Sequence, residues 1–197
     1  MSNHALYALP SFVGVVLSLV LAGLILARFQ RTLVHWALAA SLAALGLTQT
    51  GYGLFLLEPS VYEGLQWSRL ALAGQILMPA GFLVFSLTFA RTNPDALLRD
   101  SRRLLGVVGL LSALFLAVVG SERMLTLAAA QDYETFSVVL GPSGVIFACL
   151  SLLAQVLILA NLEQTWRQAD ECIRWSLKFP VLGVGLLCAH KIGRAHV

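Results

Sequence analysis

The 197-residue chain is 58% hydrophobic and only 12% charged, with a formal net charge of +3 and a mean hydropathy of +0.83. Soluble domains carry about 25% charged residues, so this composition excludes a water-soluble enzyme domain. It indicates a chain integral to a membrane, with the lipid bilayer as its main partner and no nucleic-acid partner.

The N-terminal stretch MSNHALYALP has no Lys or Arg before its apolar run. A cleaved signal peptide normally carries a positive n-region, so this run reads as a retained helix. A spanning helix needs about 20 mostly apolar residues. The runs that qualify cover residues 6–27, 33–57, 70–90, 104–119 and 137–160, and a sixth starts near Ser176 and is unfinished at His190. The expected fold is an all-α polytopic transmembrane helix bundle of five complete helices and a truncated sixth, joined by short polar connections.

Basic residues collect on cytoplasmic loops. Arg28 and Arg31 follow the first run, Arg91, Arg99, Arg102 and Arg103 lie between the third and fourth, and Arg167, Arg174 and Lys178 follow the fifth. The alternate connections hold only Arg69 and Arg123, beside Glu58, Glu63, Glu122, Asp132 and Glu134. This alternation puts the N-terminus outside and the basic loops in the cytoplasm.

The last run breaks into KIGRAHV. Residues 176–190 are too few to cross a bilayer at about 1.5 Å rise per residue. The hexapeptide from Ile192 to Val197 is similar to the translation of a sequencing-adapter read-through, and the adapter's preceding bases suit the codon of Lys191. Residues 1–190 therefore read as the biological segment and residues 191–197 as a sequencing artefact, with the natural protein continuing past His190. Foreign segments are kept out of fold reasoning.

No phosphate-binding glycine loop, metalloprotease motif or paired metal-ligand spacing occurs in the sequence. Cys149, Cys172 and Cys188 have no CxxC spacing and read as packing residues. Cys149 lacks a neighbouring base, which argues against a membrane-embedded transpeptidase or protease. His35, beside Trp36, reads as an interfacial anchor. Ionisable groups are nearly absent from the apolar runs, which counts against a transporter or channel fragment, the alternative reading. The intramembrane polar residues are mild: Thr48, Gln49, Thr50 and Tyr52 in the second run, Gln75 in the third and Gln155 in the fifth. Gln49, Tyr52 and Gln75 form a candidate polar cluster, either bonding helix to helix among small residues such as Gly46 and Gly53 or lining a small ligand pocket near the outer leaflet. Gly74, Pro79 and Gly81 in the third run suit a kink.

The most informative connection is NLEQTWRQADECIRWSLKF. Glu163 with Arg167, and Asp170 with Arg174, are spaced i,i+4 with the acid first, the favourable order. Leu162, Trp166, Ala169 and Ile173 form an apolar stripe at helical spacing. The segment reads as an interfacial helix or an extension of the fifth helix, or as a surface docking a cytoplasmic domain. Glu163, Trp166, Arg167, Arg174 and Trp175 are its candidate signal-coupling residues.

The second half of the chain resembles the membrane region of PEP-CTERM-system sensor histidine kinases of the PrsK type. The matching features are Leu140-Gly141-Pro142 with Gly144, then Asn161-Leu162-Glu163-Gln164-Thr165 with Arg167, then Arg174-Trp175 with Lys178-Phe179, and Leu182-Gly183. Upstream, the likeness rests on helix order. The resemblance implies a sensor or anchoring region in the bacterial inner membrane, preceding kinase domains that this stretch does not contain. ATP and Mg are expected only in that kinase part, as is homodimerisation, and a cognate response regulator is the implied partner. No catalytic, cofactor-binding or metal-binding residue transfers onto this sequence.

Overall fold

In the computed structural model, which describes residues 3–28, 32–57, 60–89, 94–129 and 136–168 together with Arg174, Lys178, Leu182 and Gly183, six helices and one hairpin follow in chain order. They are α1 (Asn3–Arg28), α2 (Leu33–Leu57), α3 (Val61–Thr88), α4 (Pro94–Asp100), α5 (Arg102–Val118), β1 (Leu125–Ala129), β2 (Phe136–Leu140) and α6 (Pro142–Gln168). Four of these helices are long and apolar enough to cross a membrane: α1, α2, α3 and α6. With 17 residues, α5 falls just short of the roughly 20 that a span requires. Of the expected sixth helix, the described residues include Lys178, Leu182 and Gly183, and the rest lies outside them.

Each departure from the expected all-α pattern has a local cause. The run beginning at residue 137 does not open a helix, because Phe136–Leu140 pairs antiparallel with Leu125–Ala129, Leu125 opposite Leu140 and Leu127 opposite Val138. Its Phe-Ser-Val-Val-Leu sequence favours a pleated strand. Gly141 precedes a proline, which disfavours helical geometry there, and Pro142 then takes the first helical position, where its missing N–H costs nothing. The third helix begins at Val61 rather than residue 70, because Ser60 and Glu63 supply an N-cap pattern. Ser60 Oγ accepts the Glu63 N–H at 3.2 Å. Pro94 likewise opens the short α4.

The start of α6 is pinned to the turn before the hairpin. The Arg123 carbonyl accepts from the Ser143 N–H at 3.2 Å and from Ser143 Oγ at 2.6 Å. The Gly141 N–H donates to the Met124 carbonyl at 3.0 Å. A Cβ on Gly141 would run into the Arg123 carbonyl, and one on Gly144 would lie 2.5 Å from the Met124 carbonyl oxygen. Both glycines are thus needed for close backbone approach.

At the bundle's centre is α3, which beyond its polar first turns is mostly apolar without a single apolar face, as expected of a helix surrounded by others. It packs against α2, α4, α5, α6 and the hairpin, whereas α1 packs on α2. Two apolar clusters lie along α3. One, towards the end of the bundle carrying Arg99 and Arg167, joins Phe82, Leu83 and Phe85 to Ile158 and Leu162. The other, towards the hairpin, joins Leu72 and Ile76 to Phe115, Met124 and Phe147, with the Phe115 and Phe147 rings edge to face at 5.3 Å.

The α2–α3 seam is made of small residues. A Cβ on Gly51 would lie 2.5 Å from the Ala71 nitrogen and 2.6 Å from the Trp67 carbonyl oxygen, and one on Gly74 would lie 2.6 Å from the Ala44 carbonyl oxygen. Gly81 meets Ser41 in the same way. In lipid, where apolar burial gives little drive for helices to associate, such backbone proximity is a main source of attraction. Gly74 and Gly81 therefore serve close packing, and the helix runs unbroken through Pro79. Hydroxyls along the seam are satisfied within their own helix: Ser41 Oγ donates to the Ala37 carbonyl at 2.8 Å and Thr48 Oγ1 to the Ala44 carbonyl at 3.0 Å.

Candidate functional site

Between α2 and α6, over α3 and beneath the hairpin, lies a cavity of about 550 Å³. It arises because α2 and α6 each dock on α3 and share no broad interface with one another. Its wall on α2 carries Leu45, Thr48, Gln49, Tyr52, Phe55 and Leu56, residues on one helical face. From α3 it takes Ser68, Leu72, Gln75 and Met78, from α6 Phe147, Ala148, Ser151 and Leu152, and from the hairpin Leu125, Val138 and Leu140. The volume and mostly apolar lining suit a small-molecule site, which typically occupies about 300–1,000 Å³ with a few placed polar groups.

The three residues of the candidate polar cluster all line this cavity. Gln75 Nε2 donates to the Tyr52 phenolic oxygen, tying α3 to α2. Gln49 also reaches the neighbouring helix. Its side chain lies against Gly14 of α1, where an added Cβ would be 3.4 Å from Gln49 Cγ. Gly46 and Gly53 share that side of α2, facing Ser18 and Phe12 of α1. Sequence reasoning missed Ser68, Ser151 and Phe147, and also the hairpin residues that close the cavity. The signal available for Ser151 was its position one turn before Gln155, whose Nε2 donates to Ser151 Oγ at 3.4 Å. Gln155 is 7% exposed, and its side-chain carbonyl has no hydrogen-bond partner among the described residues.

Of the coupling candidates, Glu163, Trp166 and Arg167 lie at the other end of α6. The helix continues through Gln168, so the connection begins as an extension of the spanning helix. At 27 residues and about 1.5 Å per residue it exceeds the roughly 30 Å hydrocarbon core. Leu162 is fully buried and Thr165 nearly so, while Trp166 is 40% exposed. The buried line is thus Ile158, Leu162 and Thr165, with Trp166 at its edge. Arg167 contacts Glu163 at 2.6 Å, and both side chains are mostly exposed. Arg174 and Lys178 are exposed, while Ala169, Asp170, Ile173 and Trp175 lie outside the described residues. Because solvent screens the Glu163–Arg167 pair, Glu163→Gln is expected to change unfolding stability by no more than about 0.5 kcal/mol. Chemical unfolding followed by circular dichroism in detergent checks this.

His35 Nδ1 lies 2.6 Å from Thr32 Oγ1 at the start of α2, beside the half-exposed Trp36. That arrangement fits a helix-end anchor. Cys149 is exposed on α6 and forms no disulfide. Among the described residues no cluster of His, Cys, Asp and Glu is placed to hold a metal ion.

No curated protein and no solved structure matches the chain. A family profile described as the N-terminal 7TM region of histidine kinase matches residues 10–190. That span includes the cavity, the hairpin and the whole of α6, and the match gives no support to the transporter or channel alternative. The chain belongs to the family of N-terminal 7TM membrane regions of histidine kinases.

Proposed function

We propose that the chain is the input region of a PEP-CTERM-system sensor histidine kinase of the PrsK type, set in the bacterial inner membrane with its N-terminus outside. The observation that carries the kinase reading is the family match over residues 10–190. The finer assignment draws support from the motif at Leu140-Gly141-Pro142 with Gly144, which fastens α6 to the turn before it, and from the one at Asn161–Thr165 with Arg167, which forms the far end of the same helix. In this reading α6 carries a change at the cavity to the cytoplasmic end through its buried line. The kinase part, encoded past His190, binds ATP and Mg, forms the homodimer and passes phosphate to a cognate response regulator, while residues 191–197 are foreign.

Phosphoryl transfer needs a nucleotide cradle, bound metal and a positioned acceptor. The decisive experiment incubates the 197-residue chain and the full-length gene product with labelled ATP. Label is expected on the full-length protein alone. Label on the short chain, or a full gene lacking any ATP-binding region, overturns the proposal. Topology is tested separately. Reporter fusions after Arg31, Arg103 and Arg174 are expected to report cytoplasm, and those near Glu63 and Asp132 the outside, as the distribution of basic residues requires. An external signal at Arg103 reverses the orientation.

A further inference from the structure

We propose that the cavity between α2 and α6 binds an uncharged, membrane-soluble amphiphile whose hydroxyl or carbonyl head is held by Gln75, and that this molecule enters sideways from the bilayer. The inference deepens the input-region reading and rests on it only for the biological consequence.

Three observations carry it. The first is the lining, which contains no Asp, Glu, Lys, Arg or His among the described residues. A charged ligand there would lose its hydration with no opposite charge to replace it, whereas a neutral one faces no such penalty. The second is the placement of polar groups. Gln75 spends one amide N–H on Tyr52, and its side-chain carbonyl and second N–H have no partner among the described residues. An amide offering both an acceptor and a donor suits a hydroxyl, which donates and accepts, or a carbonyl, which accepts. Aromatic and aliphatic surface from Phe55, Phe147, Met78 and Leu72 surrounds the rest of the space. The third is the mouth. Leu56 of α2 and Leu152 of α6 both line the cavity yet remain 38% and 37% exposed. Both lie on helices long and apolar enough to span a membrane, which sets this rim at bilayer depth, and the hairpin lines the end of the cavity.

The test reconstitutes the chain as it is encoded, at full length, in phosphatidylcholine liposomes. Three diazirine-tagged probes of equal chain length are used: a hexadecyl alcohol, the hexadecanoate and the hexadecyl ammonium. After illumination, labelled peptides are mapped by mass spectrometry. The expected result is alcohol label concentrated on peptides containing Leu56, Phe147 and Leu152, competed away by untagged alcohol. The two charged probes are expected to label the outward faces of α1 and α6 without this concentration. Gln75→Leu, and separately the similarly sized Gln75→Met, should reduce the concentrated label at least fivefold while circular dichroism shows the helices retained. Three outcomes overturn the proposal: even labelling by the alcohol, equal cavity labelling by a charged probe, or undiminished label in both folded variants. An unlabelled cavity in the full-length protein also overturns it. Crosslinking requires no kinase activity, so this result is independent of the ATP-labelling experiment.

Discussion

Gly74→Leu is expected to force α2 away from α3 and abolish the folded bundle. A Cβ at this position would lie 2.5 Å from Thr48 Oγ1, 2.6 Å from the Ala44 carbonyl oxygen and 2.7 Å from the Thr48 nitrogen. Two of those atoms are backbone in the middle of a helix, so a rotamer change cannot make room. Over-packing usually costs about 1–3 kcal/mol, and a leucine set against rigid backbone belongs at or above the top of that range. Gly51→Leu should behave alike, because its three nearest atoms all belong to the backbone of Trp67 and Ala71. Gly23→Ala supplies the contrast. Nothing lies within 4 Å of a Cβ there, and alanine is favoured over glycine inside a helix by up to about 1 kcal/mol. Unfolding midpoints in detergent, followed by circular dichroism, separate the cases. A Gly74→Leu protein that melts like the parent would show that the seam is looser than described.

The second large effect is expected at Leu162. It is fully buried, in the cluster that joins α6 to Phe82 and Phe85 of α3. Leu→Ala in a soluble core costs about 2–5 kcal/mol. Lipid tails are as apolar as a leucine side chain, so the transfer share shrinks and the lost packing remains, which places this substitution near about 2 kcal/mol. Kinase output measured in the full-length protein should follow the same order. Leu162→Ala should alter it most, Trp166→Ala less, since that ring is 40% exposed, and Glu163→Ala least, since its ion pair with Arg167 is exposed to solvent. Equal and negligible changes from all three would remove α6 as the route of coupling.

The second helix was legible residue for residue, because Leu33–Leu57 is a continuous apolar run bounded by polar connections. The grouping of Tyr52 with Gln75 was legible as well, since polar side chains in an apolar run have few partners other than one another. The hairpin was not. Phe136–Leu140 is as apolar as the helix after it, and hydropathy cannot distinguish a strand from the first turn of a spanning helix. The signal was Gly141-Pro142, which opens the helix, although the apolar run by itself extends back to residue 137. Gln49 shows a different limit. Its spacing from Tyr52 suits the shared face on which both line the cavity, while a residue on the flank of a helix also touches a second neighbour, and only packing shows that Gly14 leaves room for its stem. The extent of the buried line on α6 was likewise hidden, because periodicity marks an apolar stripe without saying which of its members another helix covers.

The central place of α3 has a consequence for how the protein is built. Its interfaces with α5, α6 and the hairpin all involve segments that the ribosome makes later. The α1–α2 and α2–α3 contacts, by contrast, join neighbours in the chain. The first three helices can therefore pack in order of synthesis. Each later described segment then meets a docking surface already in the bilayer, and β1 is completed when β2 follows it.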